Sequence, residues 1–362
     1  MVNLTLQKKN GLASGEKKSL PCRTVAGSRA RVFEEPGWHV WCGSVCEWGG
    51  EWWLFYSRWR ENLGFDAWAT HSEVAVARGA SPTGPFFSEK KVVLPVEGGG
   101  LWDRDTAHNP TIFAAGETLW MAYTGTFGPY QRGLHVEGEI SKDGRWWEHR
   151  NNQRVGIATA THPLGPWKTE DQPAINISQN GWDSLVVNNP SVVARPEGGW
   201  VMIYKGVTDG TRPFGKEVLH GVAESPMPGG PFNKVDGVHP FKVDGVVFAA
   251  EDPFVWWDVH SAKFRAVLKD NNGDLTGAGR TLAFYESPNA LEWSISDIPP
   301  LSGAGIAWEN GEVQSMDRLE RPQITFDRHG RAVSLQVACL PTGDRQRSFS
   351  LSVPLAHDFF EN

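Results

Sequence analysis

Residues 106–113 read TAHNPTIF, and this stretch decides the fold. His108, Asn109 and Pro110 stand directly in front of the apolar run Thr111 to Phe113. Proline lacks a backbone N–H and fits a sheet best at a strand's first residue or on an edge. The chain therefore places polar side chains at the mouth of a strand. The same arrangement returns as NNPSVV from Asn188, EDPFVW from Glu251 and ERPQIT from Glu320, with a weaker relative, HVWCGSV, from His39. The starts at 39, 108, 188, 251 and 320 are 69, 80, 63 and 69 residues apart. Spacing this regular reads as a repeat architecture.

Two further features recur in step. A second strand follows each mouth: GGEWWLFYS at 49–57, GETLWMAYT at 116–124, GGWVMIYK at 198–205, AKFRAVLK at 262–269 and RAVSLQVA at 331–338. A third strand then ends in a turn, as in VAVARGASPTGPF, VGIATATHPLGPW, HGVAESPMPGGPF and the degenerate TLAFYESPNALEW. Ala77, Ala158, Ala223 and Ala283 occupy one equivalent place in it. Proline presets φ and glycine supplies conformations other residues avoid, so the P-x-G-P pattern is turn chemistry. Five meanders of about seventy residues predict an all-β, five-bladed β-propeller, because no unit buries its faces alone and radial repetition leaves few free edges. The prediction is a single domain over 31–362, with 1–30 as a tail or ring-closing segment and the active site in the central channel. The 40 Gly, 24 Pro and 18 Trp suit many turns and aromatic-packed sheets. No long stretch keeps a helical apolar period, so little helix is expected.

A net charge of −7 implies no broad basic surface for nucleic acid. No apolar run is long enough to span a membrane. Compartment and oligomeric state are left open. Cys22, Cys42, Cys46 and Cys339 form no CxxC pattern, which argues against a zinc site or a disulfide framework. No phosphate-binding loop or cofactor motif is present. No cofactor is expected, although a single Ca²⁺ or Zn²⁺ held by His and Asp is compatible with the channel.

In a propeller the first strand of each blade lines the channel, so the polar pairs converge there. This gathers His39, His108, Asn109, Asn188, Asn189, Glu251, Asp252, Glu320 and Arg321. Only one of Glu251 and Asp252 is expected to face the channel, since neighbours along a strand point opposite ways. WDRDTAHNP and WDSLVVNNP add Asp103 and Asp183, each six residues before an Asn, and Asp105. These carboxylates either enter the pocket or brace a loop; bracing is favoured for Asp183. At the second strands Ser57, Thr124, Lys205, Lys269 and Ala338 are equivalent, with Arg58 one place along. Lys205 and Lys269 either balance the carboxylates or hold an anionic substrate. Trp38, Trp41, Trp102, Trp256 and Trp257 offer apolar faces to sugar rings. Carboxylates facing each other across a channel suit glycoside hydrolysis, one protonating the leaving oxygen and the other attacking or activating water.

The mouths, the turns and the EDP motif resemble the five-bladed β-propeller glycoside hydrolases around families 43, 32 and 117, over about residues 35–355. The resemblance implies hydrolysis of sugar side chains, fructans or anhydrogalactose oligosaccharides, by a base Asp in the first blade, a pKa-tuning Asp in a middle blade and an acid Glu later. Here His39 stands where those enzymes commonly have Asp, so the trio does not transfer whole. Glu320 and one of Glu251 or Asp252 are the expected acid/base pair, with His39 and His108 as alternates. Arg321, Lys205 and Lys269 would bind a carboxylate or sulfate on the sugar, with Arg58, Asp105, Asn109, Asn189 and Trp38 as further substrate contacts. The expected substrate is an acidic plant or algal oligosaccharide. The alternatives are a lyase or dehydratase using a His base with Arg/Lys charge stabilisation, and a non-catalytic glycan-binding propeller.

Overall fold

The computed structural model describes residues 21–97, 99–356 and 358–360, and strand dominates it. Three sheets of four antiparallel strands come first. They begin with Trp38–Trp48, Thr106–Ala115 and Val186–Ala194. Ala250–Asp258, Lys263–Asp270 and Thr281–Ser287 open a larger, ten-stranded sheet. It continues through Leu301–Trp308 into Val313–Phe326, Ala332–Pro341 and Phe349–Pro354. Helix is confined, among the described residues, to short pieces such as Trp68–His71 and Gly144–Asn151. Each first strand packs beside the next, and Val313–Phe326 packs back on Trp38–Trp48.

The N-terminal segment reaches across the chain. Val32–Phe33 adds an antiparallel outer strand to Phe349–Pro354. Arg23–Gly27 pairs in parallel with Leu301–Trp308, a strand the sequence reading did not foresee. The remainder of the expected 1–30 tail, residues 1–20, lies outside the described residues.

The predicted mouths are β-bulges. Pairing slips between Trp41 and Ser44, His108 and Thr111, Asn188 and Ser191, Glu251 and Phe254, and Glu320 and Gln323. The residue at each slip is left-handed: Cys42 (φ 55°), Asn109 (55°), Asn189 (50°), Asp252 (57°) and Arg321 (56°). That state costs about 1–2 kcal/mol for a residue with a Cβ, less for Asn and Asp. The following proline fits because a bulge leaves a position out of the ladder. The first mouth is therefore Trp41-Cys42-Gly43, two residues later than the HVW alignment, with glycine in the proline's place.

The repeated alanines are fully buried in the third strands. Gly84, Gly165 and Gly230 take positive φ in the turns, and the aromatics after them, Phe86, Trp167 and Phe232, are buried. Trp167 meets Phe55 of the preceding sheet edge-on at 5.5 Å, so these aromatics join neighbouring units. The two W-D motifs do the same work twice. Trp102 stacks on Tyr123 and Trp182 on Tyr204. Asp103 and Asp183 accept those tyrosine hydroxyls. A Cβ at Gly206 would come within 2.3 Å of Trp182, which is why glycine stands beneath the indole.

Candidate active site

Two concentric sets of side chains occupy the mouths. The left-handed residues form an inner ring. Cys42 Sγ donates to Asn109 Oδ1 (2.7 Å), Asn109 Nδ2 to Asn189 Oδ1 (2.5 Å) and Asn189 Nδ2 to Asp252 Oδ1 (2.7 Å). Arg321 Nη1 donates to the same Asp252 oxygen at 2.8 Å, and its guanidinium also faces the Cys42 thiol. All five are buried. Asn109 and Asn189, expected to contact substrate, thus spend an amide oxygen and an amide nitrogen each on the ring.

The residues just before them form the second ring: Trp41, His108, Asn188, Glu251 and Glu320. All five line a cavity of about 120 Å³ together with Phe65, Trp68, Lys142 and Arg318, and Asn109, Asn189, Asp252 and Arg321 of the inner ring border it too. The equivalent positions of the second strands hold each mouth from the preceding unit. Ser57 and Thr124 accept the backbone N–H of Asn109 and Asn189. Lys205 Nζ reaches Glu251 at 2.5 Å, and Lys269 Nζ reaches Glu320 at 2.5 Å and Glu251 at 3.4 Å. Arg318 adds a contact to Glu320 at 3.3 Å. Ala338 has no polar atom to offer, and it packs in one apolar cluster with Trp41 and Cys42. Serine and threonine serve uncharged mouths, lysine serves glutamate mouths and alanine serves the apolar one.

The electrostatics follow. Burial works to raise the Glu251 carboxyl, but Lys205 and Lys269 outweigh it and hold it well below the usual range. Burial, with Glu251 and Glu320 nearby, raises Asp252 despite Arg321. Burial, with Arg321 and Lys205, keeps His108 well below its ordinary value, so the ring is neutral at pH 7. Its Nδ1 lies 2.8 Å from Ser72 Oγ. Glu251, Asp252 and Glu320 each bring an atom within 4.8 Å of the others, a spacing that suits a divalent ion. The same carboxylates already carry two ammonium and two guanidinium contacts. No His joins that set among the described residues.

Both members of the EDP pair line the cavity, because the bulge between them breaks strand alternation. Four expected contacts lie elsewhere. His39 is fully buried against Trp59 and Phe65, with Nδ1 3.1 Å from Ser348 Oγ, and burial lowers it to about 4. Arg58 points to the other face of its strand from Ser57, where Glu35 (2.7 Å) and Glu73 (2.9 Å) hold it. Trp38 is covered by the guanidinium groups of Arg58 and Arg60. Asp105 accepts the N–H groups of Gly128 and Arg132 and braces a loop. Trp256 and Trp257 line a separate apolar cavity built from the far ends of the first strands, leaving Trp41 as the aromatic of the expected five that borders the polar cavity. Phe65, Trp68, Lys142 and Arg318 were not foreseen. Only Arg318 carried a signal, two residues before Glu320.

No family model and no curated protein matches the chain by sequence. Solved structures do match. The chain superposes on the solved structure of a BT0996 RGII complex with a TM-score of 0.64 at 13% identity, covering 93% of this protein and 92% of that one. Zg3597, a family 117 glycoside hydrolase of Zobellia galactanivorans, gives 0.58 at 13% identity, covering 95% and 94%. The fold is that of glycoside hydrolase families 43 and 117. A Bacillus subtilis arabinanase, Arb43A, gives 0.52 at 11% identity, covering 90% of this protein and 96% of that one. At these identities the likeness speaks for the backbone alone.

Proposed function

We propose that the chain is a five-bladed β-propeller whose channel mouth is a glycosidase site for acidic oligosaccharides. One observation carries the reading. Carboxylates from two units, Glu251, Asp252 and Glu320, meet Arg318 and Arg321 at one cavity that Lys142 also lines, with Lys205 and Lys269 bonded to its glutamates, five cations against three anions. The excess, 5 − 3 = +2, favours a sugar bearing a carboxylate or sulfate.

Acid and base are assigned by environments that push pKa values apart. Asp252, raised by burial, is the proton donor to the leaving oxygen. Glu320 is the carboxylate that attacks the sugar, and Glu251, permanently ionised, fixes both lysines. Incubation with acidic and neutral plant and algal oligosaccharides, read by mass and ultraviolet absorbance together, tests this. Gain of one water without new absorbance is expected. Absence of turnover on the whole panel would favour a glycan-binding propeller instead.

Elimination from a uronate is the second reading, favoured by His108. It borders the cavity, is neutral at pH 7 and is oriented by Ser72 Oγ 2.8 Å from Nδ1, with Cys42 Sγ 4.0 Å from Nε2, so a ring nitrogen stands ready as a base. Cleavage without added water and with new absorbance would establish this reading against hydrolysis.

A further inference from the structure

A second cavity of about 720 Å³ lies beside the first and shares the Phe65 wall with it. It is built by loops from three different units: 64–66, 139–140 and 343–346. The two are joined by named contacts. Arg318 borders the inner cavity and stacks over the Phe65 ring at 5.4 Å. Arg345 stacks over the same ring at 5.8 Å and reaches Asp66 at 3.4 Å. Lys142 borders the inner cavity and bonds Asp66 at 2.9 Å. The volume is that of a ligand pocket rather than a packing defect.

The charge of the two cavities is opposite. The outer one carries Asp66, Glu139 and Asp344 against Arg345, 1 − 3 = −2. Assigning Lys142 to it still leaves −1. The inner one is positive by two, or by one with Lys142 assigned to the outer cavity. We propose that the outer cavity is the subsite for the neighbouring sugar of the substrate and that it selects a neutral, hydroxyl-rich residue there while rejecting an acidic one. This rests on the acidic-sugar reading of the inner cavity. Carboxylates accept hydrogen bonds from sugar hydroxyls, and Phe65 and Ile140 supply apolar surface. A second carboxylate would meet Asp344 and Glu139, both exposed. Like charges brought together discriminate by repulsion, a route to specificity separate from attraction. The preferred ligand is a chain in which acidic and neutral sugars alternate, not a run of uronates.

The test is calorimetric binding of three probes to the unsubstituted protein: a uronic acid monosaccharide, a disaccharide with a uronate followed by a neutral hexose, and a di-uronate. The expected result is tighter binding of the mixed disaccharide than of the di-uronate, by roughly tenfold at low salt, narrowing as salt is added. In the Glu139→Gln/Asp344→Asn double variant, whose sites are on the surface, the gap should close through better binding of the di-uronate. Equal affinity for the two disaccharides in the parent, or a gap unchanged in the double variant, overturns the inference while leaving the acidic-sugar reading intact if the monosaccharide binds. Failure of all three probes to bind overturns both.

Discussion

The inner and outer rings are one residue apart in sequence and differ in almost everything else. Cys42, Asn109, Asn189, Asp252 and Arg321 face one another, with hydrogen bonds running through the first three units, and from the fifth, onto one carboxylate oxygen of the fourth. Trp41, His108, Asn188, Glu251 and Glu320 face the cavity, and the charged ones are held from the preceding unit. The left-handed bulge makes this possible: it turns two consecutive side chains toward the same end of the molecule. One ring ties the sheets together and lends Asp252 to the cavity, and the other is left for chemistry. The comparison predicts that inner substitutions act on stability and outer ones on turnover, with Asp252, which belongs to the inner ring and also lines the cavity, acting on both.

The largest effect is expected at Glu320→Gln. The amide oxygen can still accept from Lys269, so the melting temperature should stay near the parent's while kcat falls by about 10²–10⁴. A large fall in melting temperature would move Glu320 to the structural side of the comparison. Arg321→Ala leaves Asp252 buried without its counter-ion, and a urea titration should show about 3–5 kcal/mol lost. Asn189→Ala opens the ring between Asn109 and Asp252, and the same titration should show about 1–3 kcal/mol lost for the unpaired groups.

The smallest effect concerns two otherwise matched carboxylates. Asp183 has the Lys234 ammonium at 2.5 Å, whereas Asp103 has only the Tyr123 hydroxyl, with no cation in contact among the described residues. Burial pushes Asp103 from its ordinary 3.8 up to about 6. Between those values the folded chain holds a proton that the unfolded chain has released. The contribution of Asp103 to stability therefore falls as pH rises from about 4 to 6. Asp103→Asn should flatten that part of the stability profile, measured by thermal melts across pH. A parent profile that rises through the window with no change on Asp103→Asn would refute the assignment.

Much of this was written in the linear sequence. The mouth prolines, the turn glycines and the buried alanines recur because backbone geometry demands them, so spacing alone located strands and repeat units and gathered Glu251, Asp252, Glu320 and Arg321, which line one cavity. The pairing of Lys205 and Lys269 with those glutamates was legible as one of two readings. Other features left no mark. A left-handed bulge is a backbone state, and Cys42 and Arg321 adopt it with no residue-type signal, so the first mouth was misplaced onto His39. Arg58 looked like a neighbour of Ser57, yet strand alternation sends it to the opposite face. Phe65, Trp68 and Lys142 reach the cavity on loops whose course depends on packing. Local sequence determined where strands begin and which groups could meet. Tertiary structure decided which group faces which, because each partner in the site comes from a different unit and only the packed sheets fix that geometry.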